Sequence, residues 1–81
     1  MTDSEIDTLV KKALFDVAPD LEGEPVEQNA TFRDQFEIDS MDFLNFVIAV
    51  HEATGIDIPE SDYAELQTLA GSVAYLKARM P

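Results

Sequence analysis

The chain has no cysteine and no tryptophan, a single histidine, and only five lysines and arginines. Without cysteine there can be no disulfide, thiolate metal site, thiol nucleophile or redox motif. The shortage of bases is set against 17 aspartates and glutamates, a net charge of −12. Nucleic-acid phosphate and anionic membranes would be repelled, so neither is an expected partner. No stretch approaches the ~18 apolar residues of a membrane span. The start, Met1-Thr2-Asp3-Ser4-Glu5, lacks the basic and apolar regions of a signal peptide. A soluble cytoplasmic monomer is expected, with basic protein surfaces as its electrostatic complement. What is present suffices for a core: 46% of the 81 residues are hydrophobic. That length suits one domain, residues 1–81. With no disulfide to help, burial must offset about 1.5 kcal/mol of conformational entropy per residue.

Hydrophobic periodicity predicts where the helices lie. Ile6, Leu9, Val10, Ala13, Leu14 and Val17 form one face of a helix from Thr2 to Val17. Thr2 and Glu5 have capping-box spacing, and Pro19 ends the pattern. Residues 18–38 read as a long loop, which can bridge two helices without forcing them antiparallel. Phe32, Phe36 and Ile38 are its expected anchors, and Thr31 to Asp34 admit a short helical turn. A second helix is predicted from Ser40 to Thr54, with Asp39 as N-cap and Gly55 beyond its end. It is apolar around most of its circumference, as suits a helix that is central or partly reserved for a partner. Phe43, Phe46, Val47, Val50, Ile58 and Leu66 are expected in the core. Ile56 to Pro59 reads as a buried loop and Glu60 to Leu66 as a short acidic helix. Thr68 caps a last helix carrying Leu69, Val73 and Leu76 on one face. The expected fold is all-α: a small four-helix bundle of three principal helices plus a short third one, with a long loop between the first and second.

Ser40 is the first candidate for chemistry. It stands in Ile38-Asp39-Ser40-Met41-Asp42 at a predicted helix start, where backbone N–H groups stabilise an anion on its oxygen. The plainer reading is that Asp39 or Ser40 merely caps the helix. A serine hydrolase is excluded within this helix, because His51 stands eleven residues and about 16 Å along the axis from Ser40. No segment has the pattern of a calcium loop, and no metal site is expected. Between Lys12 and Lys77 there are 14 acids and one base, Arg33. Such a surface favours docking on lysine and arginine patches, with Asp39, Asp42 and Glu52 as the acidic contacts and Met41 and Ile48 as apolar ones beside them.

The run Phe36 to Gly55, FEIDSMDFLNFVIAVHEATG, resembles the acyl carrier proteins around their Asp-Ser-Leu modification site. Ile56-Asp57-Ile58-Pro59-Glu60 and Thr68 to Leu76 are similar to the family's following loop and last helix. The resemblance implies a stand-alone carrier that is not an enzyme. Ser40 would receive 4′-phosphopantetheine from coenzyme A through a separate phosphopantetheinyl transferase, and acyl groups would ride as thioesters on the arm. The implied cargo serves fatty-acid, polyketide or specialised lipid synthesis, and the implied partners are acyl-transfer, synthase or ligase enzymes. An aminoacyl or D-alanyl carrier is the near alternative, and an unmodified acidic docking module the distant one. Some positions depart from the family's pattern. Glu37 stands where a glycine is common, Met41 where a leucine is, and Asn45, His51 and Ala53 where fatty-acid carriers have glutamates. These departures point to a dedicated carrier with its own enzymes.

Overall fold

The computed structural model describes residues 1–80. Four α-helices follow in chain order: α1 (Asp3–Val17), α2 (Phe32–Phe36), α3 (Ser40–Thr54) and α4 (Leu69–Arg79). Short 3-10 segments lie at Pro19–Leu21 and Glu60–Leu66. Among the described residues there is no strand, only an isolated bridge between Thr31 and Thr68.

The capping box of α1 closes as its spacing predicts. The Glu5 amide donates to Thr2 Oγ1 at 3.2 Å and the Thr2 amide donates to Glu5 Oε1 at 2.9 Å. That amide first, and the Thr2 hydroxyl second, hold the Glu5 carboxyl below its ordinary range. Ile6, Val10, Ala13 and Leu14 of α1 are buried. This face packs against both α3 and α4, so α1 is the spine of the bundle. Phe46, Val47 and Val50 of α3 meet it together with Leu69 and Leu76 of α4 in one core. Each such side chain contributes about 1.5–3 kcal/mol by leaving water.

The segment after α1 is more structured than a plain loop. Thr31 caps α2 by accepting from the Asp34 amide at 3.1 Å, and the turn expected there extends to Phe36. Gln35 clips the bent stretch before it, donating to the carbonyls of Glu27 and Ala30 and accepting from the Glu27 amide. Two backbone bonds then tie the loop to the C-terminal part: Phe32 N–H to the Gln67 carbonyl, and Ala70 N–H to the Gln28 carbonyl. The short third helix is realised as 3-10 backbone over Glu60–Leu66. Two core assignments need correction. Phe43 and Ile58 are only half-buried. Phe43 sits on the first turn of α3, where the bundle opens to solvent, and Ile58 lies between exposed Asp57 and Pro59. The loop Ile56–Pro59 is accordingly half-buried.

Helix α4 is pressed hard on the segment before it. Thr68 Oγ1 caps it by accepting from the Gly71 amide. Ser72 is fully buried and donates to the carbonyls of Thr68 and Leu66. Tyr75, also buried, donates to Asp62 at 2.7 Å while Arg79 lies over its ring. Burial first, and the bond to Asp62 second, push the Tyr75 phenol above its ordinary value. Gly71 is required by space alone. A Cβ there would fall 2.5 Å from the Glu65 carbonyl oxygen and 2.9 Å from Thr68 Oγ1. Because the nearer obstacle is backbone, Gly71→Ala is expected to lower stability by about 1–3 kcal/mol. Urea unfolding followed by circular dichroism measures this, and an unchanged midpoint would show that the two segments part without cost.

Candidate functional site

Three residues connect α2 to Ser40, and each has a fixed task. Glu37 ends α2 in the left-handed region, at φ 56° and ψ 34°, with its N–H donating to the Arg33 carbonyl. It is the one non-glycine residue with positive φ among the described residues, a conformation costing an L-residue roughly 1–2 kcal/mol. Ile38 then turns into the core, 5% exposed. Asp39 is extended, and its Oδ1 accepts from the Asp42 amide at 2.8 Å while its carbonyl accepts from Phe43. Ser40 follows as the first residue of α3 and is exposed. The amides of Ser40 and Met41 have no intrahelical acceptor, and the dipole of a 15-residue helix places partial positive charge there.

A cleft of about 350 Å³ opens beside Ser40, between α2 and the start of α3. Arg33, Asp34 and Asp39 supply its charged lining, and Phe32, Ile38 and Phe43 its apolar lining. Beneath it runs a chain of aromatic rings. Phe32 meets Phe46 edge-on at 5.2 Å, Phe46 lies 6.2 Å from Phe43, and Phe43 meets Tyr63 edge-on at 6.3 Å.

The proposed contact residues are strung along α3 and are not clustered. Met41 is 71% exposed and Ile48 44%. Glu52 is exposed and about 18 Å along the axis from Ser40. Asp39 has committed one carboxylate oxygen to the cap, and Asp42 is half-buried. Leu44, 44% exposed, was missed by sequence reasoning. Its spacing of three from Met41 and four from Ile48 puts all three on one stripe, a signal that was present but lost in a helix apolar almost all round. His51 is occupied locally: its Nδ1 lies 2.7 Å from the Ile56 carbonyl oxygen, bracing the turn after Gly55. Among the described residues no group of three or more acids and histidines is placed to hold a metal ion, and no helix is long and apolar enough to cross a membrane.

Compared with known families, residues 12–76 match the model described as "Phosphopantetheine attachment site". The chain belongs to the acyl carrier protein family. An acyl carrier protein of Akkermansia muciniphila is 30% identical over 77 residues, 95% of each chain. One of Lactobacillus acidophilus is 23% identical over 78 residues, 96% of each. Among solved structures, a chain from the curacin biosynthetic pathway HMG synthase in complex with acetyl donor-ACP superposes with a TM-score of 0.74 at 26% identity. That match covers 99% of this chain and 100% of the other.

Members of this family are carriers, not catalysts, bearing a covalently attached 4′-phosphopantetheine and working with synthase and transferase enzymes. The start of α3 fits such a group: an exposed hydroxyl on a first turn with free amides, beside an open cleft. Glu37 holds the turn into that hydroxyl at a conformational cost. Glu37→Gly is therefore expected to raise stability by about 1 kcal/mol, read as a higher urea midpoint with unchanged slope. A lower midpoint would mean that the Glu37 side chain contributes more than its backbone strain removes.

Proposed function

We propose that Ser40 carries the 4′-phosphopantetheine and that this acyl carrier protein is a dedicated one, holding acyl thioesters for specialised lipid, polyketide or fatty-acid synthesis. The observation that carries the assignment is the exposed Ser40 hydroxyl at the start of α3, next to the cleft. The other serines are less apt: Ser72 is fully buried and twice hydrogen-bonded, while Ser4 and Ser61 lie outside any Asp-Ser-Met sequence. In the transfer, Ser40 Oγ forms a bond to the pantetheine phosphorus of coenzyme A as the pyrophosphate bridge breaks. The hydroxyl proton leaves to a base on the transferase, and the nucleotide bisphosphate departs. Once attached, the arm supplies a terminal thiol, which a chain without cysteine lacks. The new phosphodiester charge would sit at the positive end of α3.

The dedicated role is supported by the face that α3 offers to partners. Met41, Leu44 and Ile48 make an exposed apolar stripe, flanked by Asp42 and Glu52 but by Asn45 and Ala53 where fatty-acid carriers have glutamates. Docking would thus lean more on apolar contact and less on charge. The likeness to the acetyl donor of the curacin pathway agrees with a specialised role.

Incubation with coenzyme A, Mg²⁺ and a broad-specificity phosphopantetheinyl transferase should add one phosphopantetheinyl mass to the wild type. Ser40→Ala should abolish the addition and Ser4→Ala should leave it intact. Modification that survives Ser40→Ala would sink the assignment, and no modification of wild type would favour the unmodified docking module. Intact mass of protein purified from its native host separates acyl from aminoacyl cargo.

The acidic residues of α3 yield a separate expectation. If a basic transferase surface docks on them, Asp42→Lys should slow modification by about two- to fivefold at low salt, because exposed charge pairs are worth about 0.2–1 kcal/mol. The difference should fade as salt shortens the Debye length. Equal rates at low salt would remove Asp42 from the docking surface.

A further inference from the structure

We propose that Arg33 is the counter-ion of the prosthetic group's phosphodiester and draws the root of the arm into the cleft between α2 and α3. The proposal rests on Ser40 being the attachment residue. Three observations carry it, and they concern charge, pairing and placement.

Arg33 is the one base between Lys12 and Lys77, a span with 14 acids. Lys11, Lys77 and Arg79 each pair with an aspartate within 3.6 Å. Lys12 pairs with no acid among the described residues, but it lies on α1, outside the cleft's lining. Arg33 is in no ion pair among the described residues, although Asp34 and Asp39 line the same cleft. The cleft's lining includes Arg33 and Ser40 together, and Arg33 is its one cation.

The placement is rigid at the backbone. Phe32, the neighbour of Arg33, is buried against Phe46. Thr31 caps α2 from one side and Glu37 closes it on the Arg33 carbonyl from the other. Gln35 ties the helix to Glu27 and Ala30. The backbone of Arg33 is therefore held at a fixed place relative to Ser40, while its side chain is exposed and free to reach across the cleft.

A phosphodiester on Ser40 adds an anion to a rim that already holds Asp34 and Asp39, with Asp42 one turn on. The helix N-terminus offsets only part of that repulsion, since the Asp39 carboxylate already occupies the Asp42 amide. A guanidinium presents paired N–H donors matched to two phosphate oxygens. Arg33 thus supplies the charge and the donors that the rim otherwise lacks. The phosphodiester in turn gives the unpaired arginine a partner. The interaction is exposed, so it is modest and salt-sensitive.

The chain has two arginines, Arg33 and Arg79, so ¹⁵N-arginine labelling gives two side-chain Nε–Hε signals, and Arg33→Gln identifies them. On conversion of the wild type to its phosphopantetheinyl form, the Arg33 signal should shift and its exchange with water should slow by about two- to fivefold. The Arg79 signal, held by Tyr75 and Asp62, should not move. The ³¹P resonance of the arm should differ in Arg33→Gln and return towards wild type in Arg33→Lys. High salt should erase these differences. Failure of Ser40 to gain the mass would overturn the attachment reading and this proposal together. Gain of the mass with an unchanged Arg33 signal would overturn this proposal alone. Should Arg33→Gln not fold, the wild-type comparison before and after modification still decides.

Discussion

Phe32 and Phe46 meet edge-on with ring centroids 5.2 Å apart, and neither ring reaches solvent. An aromatic pair of this kind adds about 0.5–1.5 kcal/mol beyond the area it buries. Its importance here is positional. The chain between Val17 and Ser40 has only a 3-10 turn and five residues of α-helix, and a segment of that kind does not fix its own end. Anchoring Phe32 to the middle of α3 fixes α2, and from there only Glu37, Ile38 and Asp39 lead to Ser40. A left-handed turn, a buried isoleucine and an N-cap leave those three residues no other course. The cleft beside Ser40 is the space left where α2 and α3 diverge from that contact.

The features legible in the sequence are those whose cause is local. The Thr2–Glu5 box, the Asp39 cap and the left-handed Gly55 follow from a few neighbouring residues, and the structure has all three. The buried face of α1 follows from periodicity in the same way, and that of α4 in part. Leu69 and Leu76 are buried but Val73 is half-buried, and Ser72 and Tyr75 take its place in the core. What the sequence hid depends on the element opposite. Gly71 looks dispensable until the Glu65 carbonyl is found against it. Ser72 looks like an ordinary helix serine until burial and its two carbonyl partners appear. His51 is exposed, as its place on the helix suggests, but its bond to the Ile56 carbonyl was hidden because that group lies beyond the helix end. For the site, the Asp-Ser-Met run singled out Ser40, while the spacing of Leu44 was masked by a helix apolar nearly all round. The place of Arg33 in the cleft required the packing of α2 on α3.

The acidic surface and the core make opposing demands. A net charge of −12 on 81 residues repels itself, and few of the acids find a base. Stability must come from elsewhere: from the core that α1 organises, and from polar groups that are fully partnered. Among the described residues no buried side-chain nitrogen or oxygen lacks a hydrogen bond. The bonds made by Ser72 and Tyr75, with the Arg79–Asp62 ion pair beside them, fasten the Glu60–Leu66 segment to α4. The acids are thereby left on the surface, where their field acts on approaching proteins.

Helix α3 resolves the ambiguity of a helix that is apolar nearly all round. Phe46, Val47 and Val50 face the core, whereas Met41, Leu44 and Ile48 face solvent. Exposing three large apolar side chains forgoes burial that a chain this short would otherwise use. The stripe starts next to Ser40 and ends about 12 Å along the axis from it. A protein seated on that stripe would therefore have the Ser40 hydroxyl at one fixed edge of its footprint. Core, proposed docking face and proposed attachment point share one helix, so the same buried face that stabilises the bundle would also set where a partner finds the serine. A chain with no thiol of its own needs little more from its fold than that registration.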